Sequence, residues 1–193
     1  MIISFSGQPY IDVRASFNSF IPAKLSEKVS KKLADAYISI LSDNPHYHDK
    51  IEFEIAFTIW TPEFLKHARI RLEPYGLSTE DICKLEISLK NITLNALSNF
   101  KKPLESINQL KKRRRSIELS STSIEDKIFT LLDDCKRFGT LAFAHAARSG
   151  FVATTLLKSF VAVGVFTQER QLEFMKSITT VAGQFENDKQ QYI

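Results

Sequence analysis

Glycine is scarce in this chain, with six among 193 residues. Loops that cradle phosphate are built from closely spaced glycines, so a nucleotide cradle has little to be made from. GxSxG, HExxH and clusters of paired carboxylates on one element are also missing. No residue is therefore singled out as catalytic. Cysteine is scarcer still. Cys83 and Cys135 stand far apart, without a CxxC pattern or a histidine at ligand spacing, which excludes a disulfide framework and a zinc site by pattern. Reduced thiols in a cytoplasmic protein are the expectation. The opening MIISFSGQPY has neither a basic stretch nor a long apolar core, so no secretory leader is expected. The most apolar window, residues 141–166, is interrupted by His145, Arg148 and Lys158, which argues against a membrane span.

What is present is an ordinary globular composition, 44% apolar and 25% charged, in a chain long enough for a sizeable core. The 26 basic and 22 acidic side chains leave a net charge of +4, and much of that excess lies in KKRRR at 111–115. The charge is local, so it is no signature of nucleic-acid binding. The expectation is one domain, with a strand-helix-strand part at 1–60, a helical part at 61–193 and a Ser/Thr-rich linker at 116–123.

PYIDVRASFNSFIP, residues 9–22, sets Asp12, Arg14 and Asn18 inside an apolar run. Read as a strand over 10–17, it alternates Asp12, Arg14 and Ser16 against Ile11, Val13, Ala15 and Phe17. Paired with residues 4–8, it makes a hairpin turning near Gly7. Asp12 and Arg14 are then expected to pair on the open face of a small sheet. Pro22 is expected to open a helix carrying Leu25, Val29, Leu33, Tyr37 and Leu41. KIEFEIAFTIW, from Lys50, alternates Ile51, Phe53, Ile55, Phe57 and Ile59 against Glu52, Glu54 and Thr58, which predicts a second polar-faced strand.

From Thr61 the period changes to about 3.6. Helices are predicted from Thr61 and Pro62 to Gly76, from Ser78 with a capping box to Asp81, and from Pro103 into the basic run. A further helix carries Ile124, Ile128, Leu131, Leu132 and Cys135 and is capped by Gly139. Residues 141–163 are apolar on most of their circumference and are predicted to form the most buried helix of the second half. Thr167 caps a last helix expected to bury Leu172, Met175, Ile178, Val181, Ala182 and Phe185. The fold class is thus α+β, mainly helical, with a small antiparallel sheet from the first sixty residues packed on five to seven helices.

Two motifs invite a functional reading. His145 and Arg148 share a face of the apolar helix, and burial would oblige them to pair with a protein carboxylate or an anionic ligand. If the polar-faced strands pack beside that helix, Arg14 and Asn18 join His145 and Arg148 around a pocket for an anionic or phosphorylated small molecule. The run at 111–115 reads as a solvated helix end complementing the C-terminal dipole, with no sequence-specific nucleic-acid binding. Exchanging all five for Gln should then change stability little. His46 and His48, flanking Tyr47, read as a surface turn with no third ligand nearby.

GQPYIDVRASFNSFIP, HDKIEFEIAFTIW, CKRFGTLAFAHAARSGFVATTLLKSF and ITTVAGQF resemble, in that order, the central region of phosphoenolpyruvate synthase-like, PEP-utilising enzymes, a resemblance spanning about residues 3–185. The resemblance implies a piece of a phosphotransferase in which an ATP-grasp domain supplies phosphate and a mobile phosphohistidine domain carries it. Neither domain is found in this chain. His145, followed by AARSG, lacks the setting of a phosphocarrier. ATP and magnesium are accordingly expected only for the missing domains, which act in cis or in trans. The alternative, from another class, is a free-standing helical protein-interaction module.

Overall fold

A computed structural model describes residues 2–99, 101, 105–180, 184–185 and 188, without the side chain of residue 106. Of the described residues 72% are helical, and among them there is one two-stranded antiparallel hairpin, at the N-terminal end. Strands β1 (Ile2–Phe5) and β2 (Gln8–Ile11) pair in the register Ile2↔Ile11 and Phe5↔Gln8. Ser6 and Gly7 turn between them with φ of 49° and 79°, the positive values that a two-residue turn of type I′ requires. Every residue of both strands is exposed, so the hairpin does not pack on the helices as expected.

The strand predicted over 10–17 ends early. Asp12 accepts a hydrogen bond from the Ala15 amide at 2.9 Å and so caps helix α1 (Val13–Asn18). A side-chain cap that satisfies the first free amides competes with strand pairing, and here it wins. Helix α2 (Glu27–Asp43) follows, capped by Ser26; Pro22 lies in the turn before it. Val29, Leu33 and Tyr37 of the predicted stripe are buried, Leu25 and Leu41 are partly buried, and Ile40 is buried beside them.

The stretch from Lys50 is not a strand. Residues Ile51–Ile55 form a π-helical turn and residues 56–61 are irregular, with a bend at Ile59 and no strand partner among the described residues. Their backbone groups are instead met by side chains of neighbouring helices. The Phe57 amide donates to the Tyr37 hydroxyl at 3.0 Å, the Trp60 amide to Thr93 Oγ1 at 2.9 Å, and Arg71 Nη1 donates to the Ile55 carbonyl at 3.3 Å. Burying a peptide segment requires this accounting, and a sheet is only one way to supply it.

Helix α3 (Phe64–Leu72) runs through a 3₁₀ turn to Gly76, whose φ of +88° ends the unit in the left-handed region. Helix α4 (Thr79–Ser98) opens with the capping box expected of Ser78 and Asp81. These elements close one core, from Phe17 through Leu33, Tyr37, Phe64 and Leu72 to Leu85 and Leu89.

Helix α5 (Glu105–Glu118) absorbs the first residues of the predicted linker, leaving a turn at 119–123 in which Ser123 caps α6 (Ile124–Asp134). Pro103 lies outside the described residues. Gly139 does not end α6. A π-helical stretch, Cys135–Thr140, carries the chain into α7 (Leu141–Ala162), and Gly139 sits where an added Cβ would meet Leu110 Cδ2 at 3.4 Å. Its lack of a side chain lets α5 approach closely. Thr167 caps α8 (Gln168–Ser177) as predicted. Among the described residues no helix is long and apolar enough to cross a membrane. Cys83 and Cys135 are free.

Burial in the second half departs from expectation. Among the described helices of this half α7 has the most buried positions, as predicted, but these are only Ala142, Val152 and Ser159, while Phe143 is 74% exposed and Leu141 63%. Ile124, Phe129 and Leu132 on α6 and Leu172, Phe174 and Met175 on α8 are exposed, as are Ile178 and Phe185; Val181 and Ala182 lie outside the described residues. The apolar faces are where periodicity puts them. Among the described residues nothing covers them. In total the chain exposes 14,019 Å², against about 9,300 Å² for a compact monomer of 22.0 kDa.

Candidate functional site

A cleft of about 420 Å³ lies between three elements. The irregular stretch after Ile55 supplies Phe57, Thr58 and Ile59; α3 supplies Phe64, His67 and Arg71; α7 supplies Ala144, Ala147, Arg148, Phe151 and Thr155. The α7 residues recur three and four apart and so share one helical face, and Phe64, His67 and Arg71 do the same on α3. Glu52 and Phe53 complete the wall. Ring contacts hold it together, Phe57 edge-on to Phe64 at 5.1 Å and Phe53 to Phe151 at 6.0 Å. Ser159 of α7 donates a hydrogen bond to Glu63 at the start of α3, closing the two helices.

Arg71 is held in the cleft wall by two contacts. Its guanidinium lies 4.4 Å over the Phe57 ring and binds the Ile55 carbonyl. No carboxylate comes within ion-pair distance of it among the described residues. Burial lowers its pKa from the usual arginine value, opposed by the fields of Tyr37, Glu54 and Tyr47. Because an arginine stays protonated, that shift means a charge held at an energetic cost. Burial likewise raises the pKa of the Tyr37 phenol, so its hydroxyl remains a neutral partner of the Phe57 amide.

The four residues singled out by sequence do not converge. Arg14 pairs with Asp35 of α2 at 2.6 Å, not with Asp12. Asn18 is exposed at the end of α1. His145 is exposed on α7, so no burial obliges it to find a partner. Arg148 alone reaches the cleft, and it also lines a smaller hollow of about 140 Å³ beside residues 19–23. Arg71 and His67 escape sequence reasoning because HARIRL reads as a charged surface stretch. Their spacing of four, on the face that carries Phe64 and Ala68, is the signal that would have found them.

The basic run is not uniformly solvated. Arg113 donates to the buried carboxylate of Asp134 at 2.7 Å and lies 5.3 Å from the Phe138 ring, tying α5 to α6. Arg114 pairs with Glu118 within α5. Exchanging all five residues for Gln is therefore not neutral, because it strands Asp134. His46 stacks on Tyr47 in an exposed 3₁₀ turn, and His48 Nδ1 lies 3.2 Å from the Pro45 carbonyl. Among the described residues no three His, Cys, Asp or Glu side chains are placed to hold a metal ion. No family model, curated protein or solved structure matches the chain.

Proposed function

We propose that this chain is the central, acceptor-side or scaffolding part of a phosphoenolpyruvate synthase-like phosphotransferase, acting in the cytoplasm only together with ATP-grasp and phosphohistidine domains joined to it or supplied as separate chains. The family rests on the four blocks of sequence resemblance. The dependence on partners rests on one observation, the uncovered apolar faces of α6, α7 and α8. The surface in excess of a compact monomer includes the exposed N-terminal hairpin as well as these faces, and it exceeds the roughly 800 Å² that a stable interface takes from each partner. The chain's own contribution would be a rigid body, residues 13–98, and a helical face on which mobile domains seat. Nucleotide and magnesium belong to the partners, and the isolated chain neither binds ATP tightly nor hydrolyses it.

The same exposed faces serve the rival reading, a free-standing interaction module. Reading the coding sequence around the gene separates them. ATP-grasp and phosphohistidine domains in frame or adjacent are the expected result, and their absence favours the module. With those domains produced and added, amide exchange in α6–α8 should slow; exchange that stays unchanged contradicts docking there. Titration calorimetry with magnesium-ATP on the isolated chain should show no micromolar binding, and such binding would overturn the assignment of nucleotide to the partners.

A further inference from the structure

We propose that the cleft between α3, α7 and the irregular stretch after Ile55 is a binding site for a small amphipathic anion, one carboxylate or phosphate head carried on an apolar body. The inference is independent of the docking reading above, because it concerns a different surface and a different class of ligand. Its volume of about 420 Å³ lies within the range of small-molecule sites. The walls divide the work. Phe57, Phe64 and Phe151 offer an apolar floor, while Arg71, Arg148 and His67 bring cationic or polar nitrogen to the same space.

Arg71 is the anchor. A guanidinium has five N–H donors, and among the described residues only one is spent, on the Ile55 carbonyl. Its plane is fixed by the Phe57 ring, so little ordering is left to be done on binding. A charge desolvated without a carboxylate partner is stabilised by an incoming anion, and a planar fork suits the two oxygens of a carboxylate or phosphate. Arg148 makes no ion pair or hydrogen bond among the described residues, so it is available as a second contact from the opposite helix. Glu52, exposed on the same wall, and Glu54, whose field reaches Arg71, oppose an incoming anion, which favours a ligand with one anionic head. A small inorganic anion would leave the aromatic floor unfilled, which is why an apolar body belongs to the ligand.

Titration calorimetry with 4-phenylbutyrate, phenyl phosphate, inorganic phosphate and the neutral 4-phenylbutyramide tests this. The two aryl anions are expected to bind, at least about tenfold more tightly than the amide or inorganic phosphate, a difference of 1.4 kcal/mol. Whichever aryl anion binds better identifies the head group. Arg148→Gln, at an exposed position without a structural bond, should weaken them about tenfold. Ala144→Trp should block the cleft, and Glu52→Gln should tighten binding. Equal binding of the amide, an unchanged affinity in both Arg148→Gln and Ala144→Trp, or no binding of either aryl anion at millimolar concentration would each overturn the proposal. Circular dichroism of each variant separates loss of the site from loss of the fold.

Discussion

The two halves of this molecule have similar helical patterning and opposite outcomes. In residues 13–98, amphipathic helices meet, and Leu33, Tyr37, Leu72, Ile82 and Leu85 are lost to solvent completely. In residues 105–180, helices of equal regularity leave Phe129 and Phe143 each 74% exposed. Amphipathicity says that a face will be covered. It does not say by what, and in the second half the cover is not within the described chain.

That contrast is most sharply tested by deleting the same kind of side chain from each half. Leu85→Ala empties a closed core and should cost about 2–5 kcal/mol in denaturant unfolding. Phe143→Ser should change stability by less than about 0.5 kcal/mol and improve solubility. A comparable cost for the two would erase the distinction. Tyr37→Phe removes the acceptor of the Phe57 amide while keeping the ring, and leaving that donor unmet should cost about 1–3 kcal/mol. No effect would mean that the stretch after Ile55 is held by packing alone.

Asp81 gives the first half an acid limit. The Lys32 ammonium at 2.7 Å holds its carboxyl below the usual range, partial burial opposes this, and Ser78 adds its bonds. A carboxylate whose pKa is lower folded than unfolded contributes stability that is complete above about 3.9, the unfolded value, and is lost as pH falls through the folded one. Asp81→Ala should cost about 1–2 kcal/mol at neutral pH through the lost cap and ion pair, and should flatten the decline of stability at acid pH. An unchanged acid limb would show that other carboxylates set it. In the second half, Arg113→Gln should loosen α5 from α6 and raise amide exchange in both. Exchanging Lys111, Lys112 and Arg115 for Gln should do almost nothing, since all three are exposed and none forms an ion pair among the described residues. Equal effects would return the run to a uniformly solvated helix end.

Much of the fold was legible where a residue's role is local. The Ser78–Asp81 box, the Thr167 cap and the stripe of Val29, Leu33 and Tyr37 depend on neighbours within one helix, and each was read correctly. Reading failed where the outcome depends on a distant partner. The alternation of KIEFEIAFTIW signals a two-faced segment, but a strand also needs an edge to pair with, and Tyr37, Thr93 and Arg71 took that role from far along the chain. Asp12 looked like part of a polar strand face because a cap and an alternating position have the same sequence. Of the candidate site, Arg148 was legible as a cation on an apolar helix. Arg71 and His67 were not read, although their spacing with Phe64 marks a shared face of α3, because what that face meets is set by α7, far along the chain.

Native-state amide exchange on the isolated chain tests the central claim most directly. If residues 13–98 form a closed core and the helices beyond them await a cover, amides in the middle of α2 and α4 will exchange only through global unfolding, while those of α6 and α8 exchange through local opening at much lower free energy. Protection in α6 and α8 equal to that in α2 would contradict the account, because it would mean that the second half is stable without anything packed against it.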